Sequence, residues 1–357
     1  MKKIGLFLLL LIMPTVTFAL SDTSISSIVM DMNSKRILYK NNINEVRSVA
    51  SISKVMTAVI AIENSNMDDI VTVGEEILPI YGSNIYLSVG EKISMKDLLY
   101  GLLLRSGNDA AVVIANYVSK NEEEFVKLMN NKAKQLGMKN TKFTNSHGLD
   151  EEVEGNSSTA YDMALLSSYA NKYEIYRKIS GTRKYTTKSD IKSYIWYNRN
   201  KLLSKYDFAT GGKNGYTPKA GRTLITTSEK DSLSLTVVTL NDNNEYDTHI
   251  SLYDYVYENY KNYKLIDNKD FDIDSDYKDS TLYIKKSFSY PMTNEEYKNS
   301  KVTITLDTNK KHKNNDKVGI VRVMLYDDVL FSEDVYIKIP NKKSFFNGFK
   351  SWLKKIF

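Results

Sequence analysis

The chain has 357 residues, of which 42% are hydrophobic and 26% charged, so its length and composition predict a large folded domain and a smaller one. It contains no cysteine and three widely separated histidines, His147, His249 and His312, which argues against disulfides, thiolate catalysis and a structural metal. The net charge is +6, but seven lysines lie in the acid-free segments 1–19 and 341–357, so the rest is close to neutral, which argues against a nucleic-acid partner.

The first 19 residues have the pattern of an export signal. Two lysines precede an apolar run over 4–13, and the small residues Thr17 and Ala19 precede the predicted cleavage site. The apolar run is too short to span a membrane comfortably, although a retained N-terminal anchor is the alternative. We therefore predict an exported protein.

The next part of the chain predicts a β-hairpin followed by several helices. Residues 26–40 alternate apolar and polar side chains around Asn33-Ser34, as hairpin strands do. Apolar spacing, caps and glycine breaks then predict helices over 51–64, from Ser94 to about Arg105, after Asn108, over 121–138 and from Ser158-Thr159. The 51–64 helix is apolar on most sides, so we expect it to be buried.

From residue 212 onward the pattern changes to β-strands. Runs of β-branched residues over 223–228 and 233–240 predict paired antiparallel strands, and 248–260 predicts a helix packed on them. The segment 261–280 is rich in Asn, Asp, Lys and Ser, which predicts a linker. Short strand-like runs over 281–286, 302–306, 318–326 and 335–339 then predict a small all-β domain over 281–340.

The last 17 residues predict an amphipathic helix. Seven apolar residues form one stripe with lysines opposite it: Phe345, Phe346, Phe349, Trp352, Leu353, Ile356 and Phe357. Aromatic content and an acid-free basic face are typical of helices that lie in a membrane interface. We therefore predict that 341–357 anchors the protein to a membrane surface, and packing on the β-domain is the alternative.

Ser51 and Lys54 are the first candidates for chemistry. They are three positions apart on the predicted buried helix, so their side chains emerge on the same face. Burial disfavours a charged lysine and lowers its pKa, and a neutral lysine can take the proton of a neighbouring serine and make it a nucleophile. The S-x-x-K spacing alone is frequent, and a lysine that extends from the helix end to solvent is the alternative.

Two further polar elements follow in the chain. Ser106 and Asn108 lie in a predicted break between helices, where both side chains can project into a cleft, although Asn108 also suits a helix cap. Lys213 and Gly215 come just before a predicted strand, where a cation and a position without a side chain would let an extended peptide lie along the strand edge. The dipeptide Asn214-Gly215 is also typical of a hairpin turn.

The elements S-x-x-K, S-x-N and K-x-G in this order resemble those of the penicillin-binding protein and serine β-lactamase superfamily. Five further stretches look like the low-molecular-weight D-alanyl-D-alanine carboxypeptidases: "ASISKVMTA", "LLLRSGNDAA", "NSHGLD", "STAYDMALL" and "GGKNGYTPKAGRTL". The resemblance covers about 25–255. It implies an α+β fold in which 20–260 is a D,D-peptidase catalytic domain, with an antiparallel sheet, helices on its faces and a helical subdomain.

The resemblance implies catalytic roles for four residues. Ser51 would attack the carbonyl between the two terminal D-alanines of a peptidoglycan stem peptide, and Lys54 would be its base. Ser106 would relay a proton to the leaving amine, and Asn108 would orient the substrate amide and Lys54. No cofactor is implied.

The resemblance also implies a substrate-binding strand. Lys213 would contact Ser106 and the terminal carboxylate of the substrate, and Asn214, Gly215 and Thr217 would flank the bound peptide. The backbone N–H groups of Ser51 and Tyr216 would hold the oxyanion. Stem peptides ending in D-Ala-D-Ala would be substrates, β-lactams would be inhibitors, and the protein would act on the extracytoplasmic face of the cytoplasmic membrane.

Asn214 departs from the family pattern. The family usually has threonine there, sometimes serine, so a hydroxyl that helps to bind the terminal carboxylate is replaced by an amide. This departure motivates one alternative, a wall-binding protein that has lost turnover. A second alternative is a β-lactamase, because a loop after the "NSHGLD" stretch offers Glu151, Glu152 and Glu154 for activation of a deacylating water.

Overall fold

The computed structural model describes residues 20–340, except 151–154, 272, 274–276, 278–279 and 308–310. The predicted export signal over 1–19, the predicted anchor helix over 341–357 and the three glutamates of the β-lactamase alternative lie outside the described residues. In the described part, no helix is both long enough and apolar enough to cross a membrane.

The described elements are nine helices and seventeen strands in mixed order. The helices are α1 (Lys54–Asn64), α2 (Met95–Leu104), α3 (Asn108–Ser119), α4 (Glu122–Gln135), α5 (Ala160–Ala170), α6 (Glu174–Gly181), α7 (Leu202–Lys205), α8 (Glu245–Asn259) and α9 (Asn294–Lys298). The strands are β1 (Ser26–Asp31), β2 (Ile37–Asn41), β3 (Arg47–Ser48), β4 (Ile70–Thr72), β5 (Lys92–Ser94), β6 (Ser157–Ser158), β7 (Lys184–Lys188), β8 (Ser193–Tyr197), β9 (Ala209–Thr217), β10 (Gly221–Lys230), β11 (Leu233–Leu240), β12 (Lys261–Ile266), β13 (Thr281–Tyr283), β14 (Phe288–Met292), β15 (Ser300–Leu306), β16 (Lys317–Leu325) and β17 (Asp328–Lys338). Short 3-10 turns span Ala50–Ser53 and Glu75–Ile77.

The largest sheet has five antiparallel strands in the order β2-β1-β11-β10-β9. Two sequence predictions are confirmed here, the hairpin over 26–40 and the pairing of 223–228 with 233–240. Successive residues along the central strands β1 and β11 are buried, and because neighbouring side chains point to opposite faces, both faces of the sheet are covered. Val29 and Val237 pack with α8 on one face, whereas Ile28 and Val238 face the helices on the other.

The helices on that second face form at the caps that the sequence predicts. Ser94 accepts the Asp97 backbone N–H at 3.1 Å at the start of α2, and Asn121 accepts that of Glu124 at 2.8 Å at the start of α4. Each such cap stabilises a helix by about 1 kcal/mol. Helix α1 lies at the centre of this layer with its residues from Lys54 to Ala61 buried. The α+β prediction, with helices on the sheet faces and a helical subdomain, is confirmed.

The predicted position of the K-x-G element is wrong. Lys213, Asn214 and Gly215 do not precede a strand or form a turn, because they lie inside β9, the edge strand of the sheet. Residues of β9 pair with β10 along almost the whole strand. That pairing outweighs the local preference of Asn-Gly for a turn.

Part of the segment predicted as a linker, 261–280, is also a strand. β12 pairs with β14, and the later strands form a separate sheet in the order β13-β17-β16-β15 around Val321, Val323 and Val335. Arg36, in the turn between β1 and β2, ion-pairs with Glu296 of α9. The two parts of the chain are therefore in direct contact.

Candidate active site

The turn Ala50–Ser53 places Ser51 directly before α1. Ala50 has a φ of +48°, in the left-handed region, and the chain then enters α1 at Lys54. Gly148, whose φ is +86°, packs against this turn, and a Cβ at that position would lie 2.2 Å from the Ala50 carbonyl oxygen. Close backbone packing thus fixes Ser51 immediately before the first turn of the buried helix α1.

Lys54 is completely buried, which rules out the alternative of a lysine extending to solvent. Its Nζ lies 3.1 Å from Ser51 Oγ and 2.7 Å from Asn108 Oδ1, and it also donates to the backbone carbonyl of His147. Burial holds the pKa of Lys54 well below its ordinary value, and repulsion from Lys213 lowers it further. The neutral amine is therefore easier to form here than in an exposed lysine.

A neutral amine fits these three partners. The Asn108 side-chain oxygen and the His147 carbonyl oxygen can only accept hydrogen bonds, so they take the two N–H groups of the amine. The remaining lone pair then faces the Ser51 hydroxyl, which can donate its proton to it. This arrangement can activate a serine nucleophile.

Ser106 lies in the break between α2 and α3 that the sequence predicts, and Asn108 is the first residue of α3. Ser106 is in the left-handed region with a φ of +63°. Asn108 begins α3, but its side chain does not cap the helix. Its Nδ2 instead donates to the Tyr81 carbonyl at 2.7 Å and its backbone N–H donates to Ser83 at 2.7 Å, which directs Oδ1 towards Lys54.

Lys213 connects the third element to the second. Its Nζ donates to Ser106 Oγ at 3.0 Å and to the Asn214 carbonyl at 2.6 Å, and the side chain is 1% exposed. Burial, followed by repulsion from Arg199, lowers the pKa of Lys213 to about 7. Lys213 can therefore carry a positive charge at neutral pH and lose it under mildly alkaline conditions.

Gly215 allows β9 to lie against the nucleophile. A Cβ at this position would lie 2.6 Å from Thr223 Oγ1 and 2.9 Å from the Ser51 backbone nitrogen, distances at which neighbouring atoms must shift. Because β9 is an edge strand, its outer backbone groups can pair with an extended peptide. The glycine thus brings a peptide-binding edge next to Ser51.

The remaining predicted binding residues lie in different surroundings. Tyr216 is 64% exposed, and Asn214 is partly exposed. Thr217 is buried, where its hydroxyl donates to Asp150 and accepts the Ala220 N–H at 3.1 Å. The structure therefore brings together Ser51, Lys54, Ser106, Asn108 and Lys213. The Thr217 hydroxyl is instead engaged in hydrogen bonds to Asp150 and Ala220.

Two residues of the site carry no predicted role from sequence. His147 contributes its backbone carbonyl, and its own ring is buried and neutral because burial lowers its pKa to about 3. Arg199 is close enough to repel Lys54 and Lys213, and it donates to Ser83 Oγ at 2.7 Å. In the described part of the chain, His, Asp and Glu residues form no group of three that could hold a metal ion.

An antiparallel sheet between helical layers, with a serine hydroxyl beside a buried lysine of lowered pKa, defines a serine-type acyl-transfer enzyme scaffold. The sequence profile of the family described as D-alanyl-D-alanine carboxypeptidase matches residues 15–244 of the chain. The chain therefore belongs to this family, and the resemblance seen in its motifs is confirmed.

Individual relatives agree with this assignment. The chain is 38% identical over 223 residues to the D-alanyl-D-alanine carboxypeptidase DacF of Bacillus subtilis. This alignment covers 61% of this chain and 57% of DacF. It is 37% identical over 217 residues to the D-alanyl-D-alanine carboxypeptidase DacD of Escherichia coli, in an alignment that covers 56% of this chain and 53% of DacD. The crystal structure of penicillin-binding protein 6B of Escherichia coli superposes with a TM-score of 0.71 at 25% identity over 90% of this chain and 97% of that one. The match thus spans a little over half the length of these curated relatives.

Proposed function

We propose that the chain is a serine D,D-carboxypeptidase that removes the terminal D-alanine from peptidoglycan pentapeptide stems through an acyl-enzyme on Ser51. The observation that carries the proposal is the position of Lys54 Nζ, 3.1 Å from Ser51 Oγ, with two carbonyl oxygens as its other partners. Membership of the family supports the choice of substrate, because the similar proteins are named D-alanyl-D-alanine carboxypeptidases.

Acylation begins at the Ser51 hydroxyl. Lys54 takes the hydroxyl proton as Ser51 Oγ attacks the carbonyl carbon between the two D-alanines. The oxyanion is held by the backbone N–H groups of Ser51 and Tyr216, and one such donor contributes about 10²–10³ in rate. Gly215 supports this assignment because it lets β9 approach the Ser51 nitrogen.

Departure of D-alanine completes the first half of the reaction. The C–N bond breaks, and the leaving amine receives the proton from Lys54 through the hydroxyl of Ser106. Water then attacks the ester, Lys54 again takes a proton, and Ser51 Oγ is released with its hydrogen. One peptide bond and one water are consumed in each cycle.

The terminal carboxylate binds beside Lys213 and Asn214. Lys213 supplies the positive charge, and the Asn214 amide donates where relatives of the usual pattern have a hydroxyl. The position of Arg199 near Lys213 supports a cationic environment for this carboxylate. The pattern therefore favours a substrate whose last residue carries a free carboxylate.

The same proposal includes the location and domain organisation of the protein. The signal pattern over 1–19 supports export, and the amphipathic pattern over 341–357 supports anchoring to the outer face of the cytoplasmic membrane. The separate sheets support a catalytic domain over 20–260 and a small β-domain over 281–340. β-Lactams would acylate Ser51 as substrate analogues.

The test is release of D-alanine by the full-length protein from a peptide ending in D-Ala-D-Ala. A matched peptide ending in D-Ala-L-Ala controls for stereochemistry, and Asn214→Thr is assayed beside the native protein. We expect D-alanine from the first peptide alone, with the Thr variant within about tenfold of the native protein because one hydrogen bond contributes about 1 kcal/mol.

Other outcomes would favour the alternatives. Saturable binding of an intact peptide, with turnover restored by Asn214→Thr, would indicate a wall-binding protein and refute the enzyme. Rapid hydrolysis of a chromogenic cephalosporin without D-alanine release would indicate a β-lactamase.

A further inference from the structure

A cavity with a volume of about 330 Å³ lies near the end of the large sheet that is remote from the active site. We call it the far pocket and define it by these lining residues: Lys35, Ser168, Asn171, Lys172, Arg177 and Glu229. Gly215, which lies against Ser51, pairs with Thr223 of β10, and Glu229 is six residues further along β10. At about 3.3 Å per residue, about 20 Å of strand separates the far pocket from the catalytic centre.

Distant parts of the chain form the walls of the far pocket. The turn between β1 and β2 contributes Lys35, the end of β10 contributes Glu229, and the other four residues come from α5, α6 and the turn between them. Lys35 has a φ of +63°, and its backbone N–H donates to the Asp31 carbonyl at 2.9 Å. Its ammonium group donates to the Met32 carbonyl. These bonds within the turn hold the Lys35 side chain at the cavity wall.

The far pocket has more cations than its acid can balance. Glu229 is the single acid among its described lining residues, whereas Lys35, Lys172 and Arg177 are all basic. None of the three forms an ion pair with a carboxylate among the described residues, and Arg177 donates instead to the Asn171 carbonyl at 2.6 Å. Three cations against one acid leave an excess of two positive charges around the cavity.

Two of these cations are close enough to repel each other. Burial, followed by repulsion from Lys172, lowers the pKa of Lys35 to about 8, and attraction to Asp31 opposes this effect more weakly. Lys35 is still mainly charged at neutral pH, so the repulsion persists there. An anion between the two ammonium groups would remove this repulsion and accept charge-assisted hydrogen bonds from both.

A buried hydroxyl in the lining also lacks a strong partner. Ser168 is 2% exposed, and among the described residues its hydroxyl donates to the sulfur of Met30 at 3.8 Å. A thioether is a weak acceptor, so this hydroxyl keeps the capacity to donate to a ligand. The far pocket therefore offers a buried neutral donor in addition to its cations.

We propose that the far pocket binds a phosphate group, either as the free ion or as the monoester of a small organic molecule. At neutral pH such a group carries a charge of about −1.5 to −2, which matches the excess of two positive charges. Its tetrahedral oxygens accept hydrogen bonds from several directions, as donors on different elements require, whereas a carboxylate has two oxygens in one plane. The volume also suits an organic group, because ligand pockets typically measure about 300–1,000 Å³. None of the lining residues takes part in the proposed reaction, so the inference does not depend on it.

The test is isothermal titration calorimetry of the full-length protein with inorganic phosphate and with glycerol 3-phosphate, at neutral pH and constant ionic strength. We expect saturable binding of one ligand per chain. Lys172→Glu and Arg177→Glu should each weaken it at least about tenfold, because each replaces an attraction to the anion with a repulsion. Ser168→Ala should weaken it about tenfold, because a hydrogen bond to a charged group is lost.

A matched variant, Lys178→Glu, controls for the change in net charge. Lys178 is exposed on α6 next to Arg177 but does not line the far pocket, so binding should be unchanged. Lys172 and Arg177 are exposed as well, and thermal unfolding confirms that each variant is folded.

The two ligands distinguish the sources of the phosphate group. Tighter binding of glycerol 3-phosphate would support a monoester, and tighter binding of inorganic phosphate would support the free ion. No saturable binding of either ligand would overturn the proposal. Binding that persists in both Lys172→Glu and Arg177→Glu, or that weakens equally in Lys178→Glu, would also overturn it, because the phosphate would then bind elsewhere.

Discussion

The two lysines of the catalytic centre and the two lysines at the ends of α7 differ in their surroundings. Lys54 and Lys213 are buried and bond to oxygens of neutral groups, whereas Lys201 and Lys205 are exposed. Desolvation disfavours the charge of the first pair. Burial therefore suits a lysine to act as a base, which an exposed position does not.

The largest expected effect comes from Ser51→Ala. It removes the nucleophile, so D-alanine release should fall more than about 10³-fold and no covalent penicillin adduct should form. Because Ser51 is partly exposed, the free energy of unfolding should change by no more than about 0.5 kcal/mol. Mass spectrometry and thermal unfolding check the two parts. An adduct in this variant would show that another residue is the nucleophile.

Lys54→Arg tests whether Lys54 acts as a base or through its positive charge. Arginine cannot be deprotonated in proteins, so D-alanine release should fall about 10²–10⁴-fold although the positive charge is kept. Initial rates measure the effect, and Lys219→Arg serves as the control because Lys219 is exposed. Wild-type rates in Lys54→Arg would mean that Lys54 acts through its positive charge and not as a base.

Gly215→Ala tests the close approach of β9 to the nucleophile. A methyl group 2.9 Å from the Ser51 nitrogen would displace the strand or the turn, so D-alanine release should fall about 10²-fold. The overpacking should also lower the free energy of unfolding by about 1–3 kcal/mol. Full activity in this variant would contradict the proposed oxyanion geometry.

The smallest effect is the pH dependence of kcat/KM. Lys54 must be neutral, so the rate should fall as the pH drops below its lowered pKa. Lys213 must be charged to hold the carboxylate, so binding should weaken as the pH rises above about 7, which is its pKa. The bell-shaped profile should lose its alkaline limb in Lys213→Arg, because arginine keeps its charge. An unchanged alkaline limb would exclude Lys213 as its source.

Much of the fold follows from local sequence signals. The hairpin over 26–40, the caps at Ser94 and Asn121, and the pairing of 223–228 with 233–240 depend on residues close in the chain, and all are present in the structure. The position of Lys213–Gly215 inside β9 depends instead on pairing with β10 and contact with Ser51. Such long-range contacts outweigh the turn preference of Asn-Gly.

The catalytic centre was only partly predictable for a related reason. Ser51 and Lys54 act through their side chains, so their residue types and three-residue spacing can be recognised in the sequence. The structure places the two side chains in contact, as that spacing predicts. His147 acts through its backbone carbonyl, which every residue possesses, so its position has no residue signature. Arg199 reaches the site only through the fold, because its sequence neighbours do not distinguish it from the other arginines of the chain.

The most direct test of the account is the ionisation state of Lys54. Nuclear magnetic resonance of protein labelled with ¹³C and ¹⁵N in lysine, with Lys54→Arg to assign the signal, measures the Nζ chemical shift at neutral pH. The role of Lys54 as a base, together with its burial beside two carbonyl acceptors, predicts the shift of a neutral amine. An ammonium shift at Lys54 under the same conditions would contradict the account.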